Sequence, residues 1–88
     1  MDSASLRRLT VATRLRRSLE HAELEVAYQP RIDIATGRAV GTEVLARWKD
    51  ETLGVAKPDE FISVAESTGL IRSLGRTALD LACAQIRE

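Results

Sequence analysis

Two runs of alternating side chains, "LEVAYQPRIDI" and "RAVGTEVLARW", flank the tripeptide Ala35-Thr36-Gly37. A two-residue period places successive side chains on opposite faces of a strand. A three-residue loop closed by a left-handed glycine joins two such strands antiparallel. The spacing therefore predicts a β-hairpin whose turn pairs Ile34 with Arg38. Followed back, the register sets Gln29 opposite Glu43 and Glu25 opposite Arg47. Pro30 cannot donate to the ladder and is the expected place for a bulge that shifts this register.

The second strand has unequal faces. Val40, Thr42, Val44, Ala46 and Trp48 share one; Gly41, Glu43, Leu45 and Arg47 share the other. A carboxylate and a guanidinium four residues apart on an otherwise apolar strand are costly if buried without partners. Arg47 has a bland partner in Glu25, and on strand pattern alone that cross-strand ion pair is the favoured reading.

Helical spacing surrounds the hairpin. Ala12, Leu15, Leu19 and Ala22 fall on one stripe with Arg14 and Arg17 opposite, which predicts a helix from about Leu6 to His21 with a solvated arginine face. Residues 1–9 carry no clear pattern and are expected to fray. His21, the one histidine, suits a cation at the helix C-terminus better than a metal ligand. "KDETLGV" reads as a polar turn. Pro58 then fits the first position of a helix, Asp59 and Glu60 its positive end, and Gly69 its C′ stop, with Leu70 folding back. Phe61, Ile62 and Ala65 give that helix its buried stripe. A last helix runs from about Ser73 to the end, with Leu74, Ala78, Leu81 and Ala82 inward. The predicted order is helix-strand-strand-helix-helix, an α/β chain.

Composition narrows the function classes. Thirteen basic and thirteen acidic residues balance, so no bulk field attracts a nucleic acid polymer or an anionic membrane. No apolar run is long enough for a membrane segment, and the N-terminus lacks a secretory pattern, which points to the cytoplasm. The single cysteine, Cys83, excludes an internal disulfide and reads as buried helix packing. With one Trp, one Tyr and one Phe in 88 residues, an independent core is thin.

The blocks "YQPRIDIATGRAVGTEVLARW", "PDEFISVAESTGLI" and "LGRTALDLACAQI" together resemble the N-terminal part of an EAL domain. That family comprises cyclic di-GMP phosphodiesterases, which hydrolyse the cyclic dinucleotide to linear pGpG. The resemblance covers residues 10–88, taken as one partial EAL domain. It implies the N-terminal third of an EAL-type (β/α)8 TIM-like barrel whose first strand runs antiparallel to the second. Residue roles follow for matching positions alone. Glu43 corresponds to the signature glutamate that binds a catalytic Mg²⁺ or Mn²⁺, and Arg47 to an arginine that contacts a phosphate of the dinucleotide. Gln29 and Leu45 correspond to residues beside the nucleotide. For Arg47 the resemblance reverses the preference for the bland ion pair.

The signature reads "EVL" here, with Val44 in place of alanine, a crowding cost of about 1–3 kcal/mol if the site is tight. The family's other metal ligands and its catalytic lysine find no match, so weak or absent metal binding and no catalysis are expected of this chain alone. The expected partners are cyclic di-GMP and either a second copy or the rest of an EAL domain. The alternative is a degenerate, non-catalytic module that binds cyclic di-GMP or another protein.

Overall fold

The structure, a computed structural model, describes residues 2–87. The elements are α1 (Ser3–Glu20), β1 (Glu25–Ile32), β2 (Ala39–Arg47), β3 (Lys49–Asp50), β4 (Gly54–Val55), α2 (Pro58–Thr68) and α3 (Ile71–Arg87).

Helix α1 starts earlier than its apolar stripe suggests. Asp2 caps it, accepting the Ser5 N–H at 2.7 Å, so residues 3–9 are helical where fraying was expected. At its other end Ala22, at φ 54°, takes the left-handed position usually given to glycine. The N–H groups of Ala22 and Glu23 then bond the carbonyls of Leu19 and Ser18, closing a Schellman motif. Ala22 thus ends the helix instead of joining its buried stripe. Helix α2 begins on Pro58 and stops at Gly69, φ 81°, as predicted. α3 follows almost at once and begins two residues before Ser73.

The hairpin keeps the predicted register over most of its length. Glu25 stands opposite Arg47, Ala27 opposite Leu45, Gln29 opposite Glu43 and Arg31 opposite Gly41. The register shifts between Arg31 and Ile32, because Ile32 pairs with Ala39 and leaves Val40 as the extra residue. The bulge lies beyond Pro30, which pairs regularly with Thr42. Asp33, not Ile34, closes the turn with Arg38: its N–H bonds the Arg38 carbonyl, and its own carbonyl accepts from Gly37 at φ 69°. The Asp33 carboxylate accepts from Ala35 N–H and Thr36 Oγ1, pinning the tip.

The polar turn contains a second, minimal hairpin. β3 and β4 pair Lys49 with Val55 and Asp50 with Gly54. One oxygen of Asp50 accepts the N–H groups of Thr52 and Leu53.

The core forms where α1, α2, α3 and the base of the hairpin meet. Val11, Leu15, Leu19, Leu24, Trp48, Ala56, Phe61, Val64, Ala65 and Leu74 are its buried members. The far end of the hairpin stands away from it, with Ile32, Ile34 and Val40 exposed. The radius of gyration is 15.1 Å, against about 12 Å for a compact domain of this length. Cys83 is exposed, contrary to the buried reading. The inward stripe of α3 runs through Leu74, Ala78 and Ala82, and Cys83 lies about 100° round from it, beside exposed Leu79 and Ile86. Among the described residues no helix is long and apolar enough to cross a membrane.

Candidate functional site

Strand alternation and the observed register put Glu25, Ala27, Gln29 and Arg31 of β1 on one face with Gly41, Glu43, Leu45 and Arg47 of β2. The opposite face carries Tyr28 and Val44 and is partly covered by α3. There Tyr28 Oη donates a long bond, 3.5 Å, to the Ala82 carbonyl. Tyr28, Thr42, Val44, Gln85 and Ile86 line an open groove of 490 Å³. Val44 is therefore not crowded by the methyl groups it adds to the signature; it borders open space.

On the other face, the four candidate residues come together as the alternation predicts. Gln29 and Glu43 are direct cross-strand neighbours, both exposed, with Cβ atoms about 5 Å apart by strand geometry. Leu45 is half-buried in the next row, facing Ala27. Arg47 closes the face roughly 13 Å along β2 from Glu43. The ion pair between Glu25 and Arg47, favoured on strand pattern alone and disfavoured by the family resemblance, is not formed, although their backbones are opposed. Among the described residues the ion pairs are Arg7–Glu60 and Arg14–Asp50. Glu43 and Arg47 thus present an uncommitted carboxylate and guanidinium on a common surface. Arg31 shares that surface opposite Gly41, where the same alternation would have revealed it.

A hard cation takes oxygen ligands, and a guanidinium grips phosphate through parallel N–H bonds. The face supplies two carboxylates, Glu43 with the Gln29 amide oxygen beside it and Glu25 about 13 Å further along, opposite Arg47. Among the described residues no group of three or more His, Cys, Asp or Glu side chains is placed to hold a metal ion. The donor set therefore fits one corner of a divalent-cation site and not a complete one.

Just past Arg47 the chain turns into the core through polar contacts that pattern reading did not find. Trp48 donates its indole N–H to Ser18 Oγ at 2.9 Å, both residues buried. Arg14, expected on a solvated face, reaches Asp50 at 2.9 and 3.0 Å. Arg7 and Arg8, both exposed, bond Glu60 and the hydroxyls of Ser63 and Ser67 on α2. Burial pushes the Asp50 carboxyl up, but bonds from Arg14, Leu53 and Thr52, with the arginine's charge, outweigh it and hold it below the usual range. His21 caps α1 with Nδ1 2.8 Å from the Arg17 carbonyl, a helix-terminus role.

The chain matches the family model of the EAL domain over residues 12–88. It is 39% identical, over 89 aligned residues, to the cyclic di-GMP phosphodiesterase PA2567 of Pseudomonas aeruginosa, covering 100% of this chain and 15% of that protein. Identity is 37% with the bifunctional diguanylate cyclase/cyclic di-GMP phosphodiesterase MucR of the same organism, covering 99% of this chain and 13% of that one. A solved structure, the c-di-GMP complex of the PaMucR phosphodiesterase, superposes with a TM-score of 0.73 at 38% identity. That alignment covers 89% of this chain and 32% of the other. The chain thus spans about a third of the solved relative and less of the curated ones.

Proposed function

Because the chain belongs to the EAL-domain family, we propose that the open face of its hairpin is one wall of a cyclic di-GMP site. In this reading Glu43 is a ligand of a divalent cation, Mg²⁺ or Mn²⁺, and Arg47 holds a phosphate of the dinucleotide. Gln29 and Leu45 line the wall between them. The observation that carries the reading is that the four residues share one face while Glu43 and Arg47 stay out of both ion pairs found among the described residues.

The cation, when bound, would polarise a phosphate oxygen and activate water. Such a centre needs several converging oxygens, and on this face Glu43 and Glu25 stand about 13 Å apart along the strands, too far to share a cation. Hydrolysis to pGpG is accordingly assigned to a complete EAL domain, in which other segments supply the remaining ligands and cover the hairpin in a barrel. By themselves these residues bind the dinucleotide weakly through Arg47. The second reading, a non-catalytic module that binds cyclic di-GMP or a protein, draws on the same lack of converging carboxylates.

Calorimetric titration of cyclic di-GMP, with and without Mg²⁺, tests the proposal. Weak binding that Arg47→Ala abolishes and Mg²⁺ barely alters is the expected result. Binding indifferent to both Arg47→Ala and Glu43→Ala would overturn it.

A further inference from the structure

Arg47 is followed immediately by a tethered segment. Trp48, 2% exposed, bonds Ser18 of α1, and Asp50, 5% exposed, bonds Arg14 of the same helix. Ser18 and Arg14 are four residues apart on α1, a rise of about 6 Å. Trp48 and Asp50 are two residues apart on extended chain, a span of about 6.6 Å. The two spacings match, and the order is reversed: 14 meets 50 and 18 meets 48. Helix and strand end are locked side by side in one register.

A slip of α1 by a turn would break both bonds, leaving the buried indole N–H without a partner and the buried Asp50 carboxylate without its counter-charge. Apolar side chains could fill this space without that penalty, but they would not distinguish one register from the next. Arg47, on the opposite face of the strand, forms no ion pair of its own among the described residues. Its placement therefore depends on the backbone that it shares with Trp48.

We infer that Ser18 and Arg14 are positioning residues for Arg47, acting through Trp48 and Asp50. The inference rests on the reading of Arg47 as a phosphate contact. α1, remote from the open face, thereby sets where the guanidinium stands when a cyclic dinucleotide arrives.

The test uses the 88-residue chain and nuclear magnetic resonance. Amide exchange over residues 45–47 is measured in the wild type, Ser18→Ala, the double variant Ser18→Ala/Trp48→Phe, and the control Arg7→Ala. The Arg47 Nε–H resonance is then followed as cyclic di-GMP is added. Loss of the tether is expected to speed exchange at 45–47 about fivefold. Amides of residues 61–65 keep their rates, and the dinucleotide-induced shift at Arg47 shrinks several-fold. Arg7→Ala changes neither. The double variant leaves no orphaned indole N–H and keeps the test decisive if Ser18→Ala unfolds. Unchanged exchange at 45–47, or an equal rise at 61–65, would overturn the inference. An Arg47 resonance silent to cyclic di-GMP in the wild type would defeat the functional reading instead, while the exchange measurement still decides the tether.

Discussion

Trp48 meets Phe61 edge to face, with ring centroids 5.7 Å apart and planes at 76°. The pair joins the base of the hairpin to α2, and both rings are almost wholly out of water. With just three aromatic residues in the chain, little else of comparable size fills the core. Phe61→Ala is expected to cost about 3–5 kcal/mol, close to the whole stability of a domain this small. The cooperative thermal transition and the near-ultraviolet dichroism of Trp48 should both disappear. A variant that still melts sharply near the wild-type temperature would place the centre of the core elsewhere.

Acid should loosen the fold through Asp50 and Glu60. Both carboxyls lie below their ordinary values of 3.8 and 4.5, Asp50 because its bonds outweigh burial and Glu60 chiefly through the Arg7 hydrogen bond. The unfolded chain therefore takes up protons first as pH falls. Their contribution is complete above the ordinary values and is lost as pH drops through these toward the folded ones. Melting temperature should be flat above about pH 5 and fall below about pH 4. Asp50→Asn should lower stability at neutral pH by about 2 kcal/mol and blunt the acid response. An unchanged acid profile in that variant would remove Asp50 from the account.

The two left-handed helix ends predict opposite effects. Gly69, at φ 81°, has open space around its α-carbon, so Gly69→Ala pays only for backbone strain, about 1 kcal/mol. Ala22 already carries that strain at φ 54°, and Ala22→Gly should recover about 0.5–1 kcal/mol. Urea midpoints shifting down for the first and up for the second would agree; the same direction for both would not.

No hydrolysis of cyclic di-GMP to pGpG is expected from these 88 residues with Mg²⁺ or Mn²⁺ present. Two carboxylates about 13 Å apart on the open face, Glu43 and Glu25, do not make a two-cation centre. Turnover that survives rigorous purification and vanishes in Glu43→Ala would falsify this expectation.

Self-association is the expected response to an uncovered hairpin. The main sheet has two strands, and each leaves an outer edge of unpaired backbone groups. Tyr28, Ile32, Val40 and Val44 are exposed along it. Light scattering should show a mass that rises with concentration, and melting temperature should rise with it. A strictly monomeric species with a concentration-independent melt would show that the edges are tolerated in water.

Local chemistry made some of this legible in the sequence. Pro58 and Gly69 mark the ends of α2 because one lacks an N–H and the other accepts positive φ, and the structure places both there. The pairing of Gln29 with Glu43 followed from strand period and turn length, and it survives a turn closed one residue away from the predicted place. What stayed hidden depends on contacts distant in sequence. Trp48 finds Ser18 across 30 positions and Arg14 finds Asp50 across 36, which no local pattern encodes. Cys83 departs from its expected burial because the inward stripe of α3 passes beside it, through Leu74 and Ala82. The shared face of Glu43 and Arg47 came from alternation; their roles came from family resemblance.

The extra residue at Val40 separates the hairpin into two independently alterable parts. On the tip side, Asp33 organises its own turn through side-chain and backbone bonds. On the base side, Leu24 and Trp48 are anchored in the core. A lengthened or shortened tip changes the pairing as far as the bulge, where the mismatch is already accommodated. The opposition of Gln29 and Glu43 is insulated from such edits. Mutational drift, or a deliberate graft of a foreign peptide between Asp33 and Arg38, therefore has a place to accumulate without turning the carboxylate to the wrong side of the sheet.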